Sequence, residues 1–183
     1  MKKTLLIVDD FYTSPDTVRQ YALHQEYSVK GNFPGVRTAP YLSHDIKDAI
    51  NHIMQFAGGV TDWLEDGGYT GAFQLATCGD RTWIHTDYNN MWAGVLYLTP
   101  DAPHTAGTAL YRHKATGEHQ KVTDDHEGYD YTKWDQFDTI GNKYNRLVIY
   151  RGDLFHASLD YFGDNLQNGR LFQTFFFNTA HYG

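Results

Sequence analysis

The 183-residue chain has a single cysteine, Cys78, so no internal disulfide can form, and a reducing compartment is the simplest setting. It has no excess of positive charge: 15 Lys and Arg face 22 Asp and Glu, for a net charge of −7. Binding to bulk nucleic acid draws most of its affinity from phosphate contacts, so this balance argues against a nucleic-acid partner. No apolar stretch approaches the roughly 20 residues that cross a bilayer. The N-terminal run Leu5–Val8 ends at Asp9, too short for the apolar core of a signal peptide. A cytoplasmic chain with no membrane partner is therefore expected. There is no internal repeat, no low-complexity segment and no His-x-His pair.

Aromatic residues, by contrast, are abundant at 16%, with 14 Tyr and 11 Phe. They suit pleated sheets. Leu5–Val8 reads as a first strand. Ser14 followed by Pro15 reads as the start of a helix, with Val18, Tyr21, Ala22 and Gln25 at helical spacing. Residues 31–37, Gly-Asn-Phe-Pro-Gly-Val-Arg, read as a loop. Ser43 opens a second helix with an Ile46, Ala49, Ile50, Ile53, Ala57 stripe, which Gly58-Gly59 ends or interrupts, and Gly67-Gly68 closes the helical region.

From Tyr69 the period changes. Residues 73–78, 82–85, 92–98, 108–112, 146–150 and 171–177 read as short strands. Residues 113–145 read as a polar excursion, of the kind that forms a lid or binding loop. The pattern predicts one domain with a mainly β (α+β) fold. Residues 1–68 would give a strand and helices packed on one sheet, and residues 69–183 a sandwich or jelly-roll core.

The chemistry lies in three separated pieces. His85-Thr86-Asp87 follows a predicted strand; alone it is a short motif that chance supplies about once in such a chain. The run Arg146 to Tyr150 enters a Gly152-Asp153 turn, and His156 follows. Arg170 stands at the head of the apolar strand Leu171–Phe177, where a guanidinium pointing inward needs an anion. Two imidazoles and a carboxylate on one face of Fe(II) leave three positions open. A 2-oxoacid can chelate two of these and O2 the third. The far carboxylate of 2-oxoglutarate suits a bidentate arginine such as Arg170. Imidazole ligates in its neutral form, so metal affinity is expected to weaken as pH falls through about 6.5.

His85-Thr86-Asp87, His156 and Arg170, in this order and strand context, resemble the 2-oxoglutarate/Fe(II)-dependent oxygenase superfamily, and most of all its prolyl-hydroxylase-like branch. Val95-Leu96-Tyr97-Leu98 is similar to that branch's Tyr-Leu strand, Gly107 to Leu110 to its Gly-rich turn, and Asn145 to Asp153 to the run before its distal histidine. The likeness covers residues 69–178, with Leu159–Gly169 as an inserted loop. Residues 33–37 resemble bacterial and phage relatives. The resemblance implies a double-stranded β-helix with His85, Asp87 and His156 as metal ligands. It also implies a role for Tyr97 beside Arg170 on the co-substrate, and hydroxylation of a substrate with release of succinate and CO2.

Residues near the metal motif or on the excursion are expected to meet the substrate: Tyr88, Asn89, Asn90, Trp92, Arg112, Tyr129, Tyr131 and Trp134. The same aromatics packing a lid against the core is an equal alternative. His24, His104, His113, His119 and His126 read as surface residues, and Cys78 as a small buried one. Two other functions fit a jelly roll: a cupin-like metal protein, disfavoured by the missing His-x-His, and a non-catalytic binding module. Small metabolites, free amino acids, peptides and protein side chains are all open as substrates, and the oligomeric state is open too.

Overall fold

The computed structural model describes residues 2–65, 69–120 and 127–183. Gly67, Gly68 and His126, named above, lie outside them. The chain runs β1 (Leu5–Val8), α1 (Pro15–Leu23), β2 (Val36–Pro40), α2 (His44–Ile53), a 3-10 turn, then β3 (Val60–Trp63), β4 (Ala72–Ala76), β5 (Trp92–Tyr97) and β6 (Thr108–His113). β7 (Trp134–Ile140), β8 (Leu147–Arg151), β9 (His156–Ser158) and β10 (Arg170–Thr179) complete it. The fold is mostly β with two short helices and antiparallel sheets, compatible with a jelly roll.

The larger sheet has the order β1-β8-β5-β10-β4-β2, with β3 also paired to β10; the smaller is β7-β6-β9. Successive strand residues face opposite ways. Leu171, Phe175 and Phe177 of β10 therefore join Trp92 and Leu96 of β5 and Leu147 and Ile149 of β8 on one face. There they pack on Ala22, Ile46, Ile50, Met54 and Ala57 from the helical segments. The other face presents Phe172, Ala93, Tyr97, Val148, Tyr150 and Ala76.

Helix α2 begins where Ser43 Oγ accepts from the Ile46 N–H, and the 3-10 turn after it ends at Gly58 in the left-handed conformation. Pro15 occupies the first turn of α1, where its missing N–H is harmless, but Ser14 makes no side-chain cap. Arg19 of α1 donates to the carbonyls of Leu98 and Gln167, fixing the helix to the loop before β10.

Several expectations need correction. The loop expected over residues 31–37 runs into β2, and β3 follows the helices; both are edge segments whose polar content hides the period. Residues 82–85 form no strand: only His85 makes an isolated bridge, to His156. The excursion is not all loop, because β7 pairs with β6 along its length. Only the ends of β7 are buried, so its sequence lacks an apolar run. Cys78 is exposed rather than buried. No described helix is long and apolar enough to cross a membrane.

Candidate metal centre

The two sheets face each other across a cavity of about 390 Å3, lined by Val95 and Phe172 of the larger sheet and by Thr108, His156 and Ser158 of the smaller. His85, Asp87 and His156 meet at this cavity. Their donor atoms all lie within 4.8 Å of one another, and they are the one such group among the described residues.

Backbone bonds bring them together from distant parts of the chain. The His85 N–H donates to the His156 carbonyl at 3.0 Å and the His156 N–H returns the bond at 2.9 Å. The Asp87 N–H donates to the Gly152 carbonyl at 2.7 Å. Glycine is required at 152, since a Cβ there would stand 2.2 Å from the Asn90 carbonyl oxygen and 2.7 Å from that of Asp87. The Gly-Asp turn read from the sequence is thus the seat on which the Asp87 turn rests.

The side chains are oriented as well. His85 Nδ1 lies 2.9 Å from the Trp83 carbonyl, and His156 Nδ1 lies 2.9 Å from that of Leu154. A carbonyl only accepts, so each Nδ1 carries the proton and each Nε2 keeps its lone pair for a ligand role. His156 Nε2 stands 3.3 Å from Asp87 Oδ2. Burial, helped by the neighbouring His156, lowers His85 to about 4, so it is neutral near pH 7. Burial pushes the Asp87 carboxyl up, but His156, His85 and Arg37 outweigh it and hold the group below its ordinary value, ionised. Two imidazoles beside one carboxylate form a donor set suited to a divalent transition metal.

A second feature lies on the same face of the larger sheet. Arg170 opens β10 and is fully buried. Its Nε donates to the Ala106 carbonyl at 3.1 Å and Nη2 to that of Gly107 at 3.2 Å, while Nη1 is buried with no partner. The rings of Phe172, Tyr97 and Tyr161 lie 4.5, 5.4 and 5.7 Å from the guanidinium. The Tyr97 hydroxyl bonds Thr108 Oγ1 at 2.8 Å; burial raises its pKa, which keeps it protonated. No carboxylate among the described residues lies within ion-pairing distance of Arg170. A buried cation with one unused donor is an arrangement that an anion completes.

The other expected contacts divide. Tyr88, Asn89 and Asn90 line the cavity. Tyr129 is exposed and stacks on Trp83, with ring centroids 5.5 Å apart; with Tyr131 it lines a neighbouring depression beside Arg81 and Tyr161. Trp92 is not at the mouth. Strand parity turns it to the helix face, where its indole N–H donates to Thr179 Oγ1 at 2.8 Å. Trp134 is core, packed on Phe155, and Arg112 pairs with Asp135 outside the smaller sheet. His113 lies 3.0 Å from Glu127 and His104 Nδ1 3.2 Å from the Asn142 carbonyl, both apart from the metal site. Sequence reasoning missed Arg37, Phe33, Tyr69, Gln74 and Trp83, all of which line the cavity. The available signal was Val36-Arg37-Thr38, a branched, extended run before a proline.

The fold is shared with solved structures. Over 96% of this chain and 92% of that one, it superposes on a prolyl-4-hydroxylase from Pseudomonas putida with 15% identity and a TM-score of 0.51. HygX from Streptomyces hygroscopicus, solved with nickel, 2-oxoglutarate and hygromycin B bound, gives 10% identity and a TM-score of 0.57 over 98% and 84%. EctD from S. alaskensis in its apoform gives 11% and 0.57 over 97% and 74%. No curated protein matches the chain in sequence. A model described as a family of unknown function (DUF6445) matches residues 1–177.

Proposed function

The chain belongs to the DUF6445 family, and we propose that it is a 2-oxoglutarate- and Fe(II)-dependent oxygenase on a double-stranded β-helix. The observation that carries the reading is the pairing of two features, one on the cavity and the other beside Phe172 and Tyr161 of its lining. One is the His85, Asp87 and His156 donor set; the other is the buried Arg170 with its unpartnered Nη1. A metal site alone would fit a cupin-like protein, and neither feature is needed by a plain binding module. The solved neighbours give the same fold, and one of them holds nickel with 2-oxoglutarate.

In this reading His85 Nε2, Asp87 and His156 Nε2 hold the metal. Arg170 grips the distal carboxylate of 2-oxoglutarate, with the Tyr97 hydroxyl beside it. Bound Fe(II) and 2-oxoglutarate would supply the means to activate O2. The overall change is substrate C–H to C–OH, with one oxygen atom going to substrate and the other to succinate as CO2 leaves. The protein's own part is to fix both histidine tautomers through Trp83 and Leu154. It also keeps Asp87 ionised and keeps water from the co-substrate's charged end by burying Arg170.

The test is anaerobic binding of Fe(II) and then 2-oxoglutarate, followed by succinate release on adding O2 with a panel of small molecules and peptides. Metal-dependent 2-oxoglutarate binding and O2-dependent succinate are expected. Metal binding without 2-oxoglutarate binding would favour the cupin-like alternative, and neither would leave a binding module.

A further inference from the structure

Arg37 is a second buried guanidinium, this one lining the cavity itself, and the reaction proposed above gives it nothing to do. It sits on β2, opposite Gln74 of β4 in antiparallel register. Two residues earlier Gly35 has φ 73°, and a Cβ there would fall 1.9 Å from the Leu75 carbonyl oxygen. Only glycine lets the chain turn so close to β4, and the turn sets Arg37 at a fixed height on the sheet. Arg37 Nε donates to Gln74 Oε1 at 2.7 Å, and Gln74 Nε2 donates to the Pro34 carbonyl at 2.7 Å, so the amide cannot turn over. The guanidinium lies 3.9 Å from the Phe33 ring, 5.0 Å from Tyr69 and 5.9 Å from Phe176.

This amounts to a built socket with no occupant among the protein's own groups. Arg37 is 7% exposed, and among the described residues neither Nη has an acceptor and no carboxylate pairs with it. Burial lowers its pKa to about 10, so it stays charged, and Asp87 leads the charges that oppose this shift. Arg37 therefore feels the metal-binding group directly, and both line the same cavity.

We infer that Arg37 anchors a carboxylate of the primary substrate, a small molecule with an apolar or aromatic body. The inference rests on the oxygenase reading. A planar guanidinium with two free Nη groups matches a carboxylate in bidentate fashion. One free cation beside an anionic Asp87 balances a monoanion better than a phosphate dianion. The body of the ligand would lie against Phe33, Tyr69 and Phe176. A cavity of about 390 Å3 that also admits 2-oxoglutarate leaves room for a small molecule only. The oxidised carbon would then lie a few bonds from the carboxylate.

The experiment uses protein loaded with Ni(II) and 2-oxoglutarate. Benzoate, phenylacetate and 3-phenylpropionate, each beside its carboxamide, are titrated by ligand-observed NMR into wild type, Arg37→Gln and Arg37→Lys. At least one acid should bind more tightly than its amide. Arg37→Gln should weaken that acid by at least about tenfold, as loss of a charged hydrogen-bond pair does, and Arg37→Lys should weaken it less. The affinity of Arg37→Gln for 2-oxoglutarate should stay at the wild-type value. Acids and amides that bind alike to wild type would overturn the inference, and so would acid binding that Arg37→Gln leaves unchanged. Loss of 2-oxoglutarate in Arg37→Gln would also overturn it, by giving Arg37 to the co-substrate. Should wild type bind no 2-oxoglutarate with Ni(II), the oxygenase reading fails; the contrast of acid with amide, and its loss in Arg37→Gln, still decides the role of Arg37.

Discussion

The two sheets that enclose the cavity are built to different rules. The larger one is covered on both faces, by the helices and by the cavity wall, and all of β8 and nearly all of β10 are buried. The smaller one is covered on one face only. Its strand β7 is buried at Trp134 and Ile140, while Phe137 between them is 47% exposed. The two guanidiniums stand on the larger sheet, where packing holds a charge rigidly. The donor set forms at the seam, from a loop beside the larger sheet and a three-residue strand of the smaller. Stability is thus concentrated in one sheet and the proposed chemistry at its border with the other.

The sharpest way to break this contrast is at the seam. His156→Ala should weaken Ni(II) or Fe(II) affinity by more than about 100-fold, since it removes a ligand and not merely its support. Succinate release should fall to background while far-UV circular dichroism is kept. Calorimetric metal binding at wild-type strength would remove His156 from the site.

On the larger sheet, Arg170→Ala should raise the dissociation constant of 2-oxoglutarate by roughly 100-fold or more, the effect of about 3–5 kcal/mol for one half of a buried charge pair. Arg170→Lys should recover part of it. Unchanged affinity in an anaerobic titration would refute the assignment.

The packing difference has its own test. Trp92→Ala empties a fully buried site and should destabilise the protein by about 3–5 kcal/mol. Phe137→Ala on the outer face of β7 should stay within about 0.5 kcal/mol in denaturant unfolding. Equal effects would mean that the sheets carry the fold equally.

The smallest effect concerns pH. In the unfolded chain an imidazole titrates near 6.5, whereas His85 in the fold titrates at about 4. Between these values the unfolded chain holds a proton that the folded chain does not. The stability of metal-free protein should therefore be complete above about pH 6.5 and decline as pH falls toward 4, by up to roughly 3 kcal/mol. His85→Gln should flatten that slope; an identical slope would show that another group causes it. Proton competition at His85 for metal accordingly moves from the 6.5 expected of a free imidazole down to about 4.

What could be read from the sequence follows the same division. Strands buried on both faces, such as β8 and β10, announce themselves as apolar runs. So does α2, whose stripe faces the core. β2 and β7 are edge strands with polar faces, and they read as loop. The donor motifs were legible because their spacing is local to each piece. Arg37 was not, because only the pairing of β2 with β4 brings it to the cavity. Trp92 lies away from the mouth despite its nearness to Asp87 along the chain, because the alternation of β5 sets Trp92 and Leu96 on the face opposite Val95 and Tyr97.

The reciprocal bonds between His85 and His156 also bear on how the protein comes into being. They close a loop that contains all of β5 to β8, so the three donors cannot meet while the chain is still emerging from a ribosome short of β9. Closing so long a loop is slow, and the proposed metal capture must wait for it. A nascent chain halted before His156 would carry His85 and Asp87 as an incomplete pair, and the donor set would be complete only once β9 has been made.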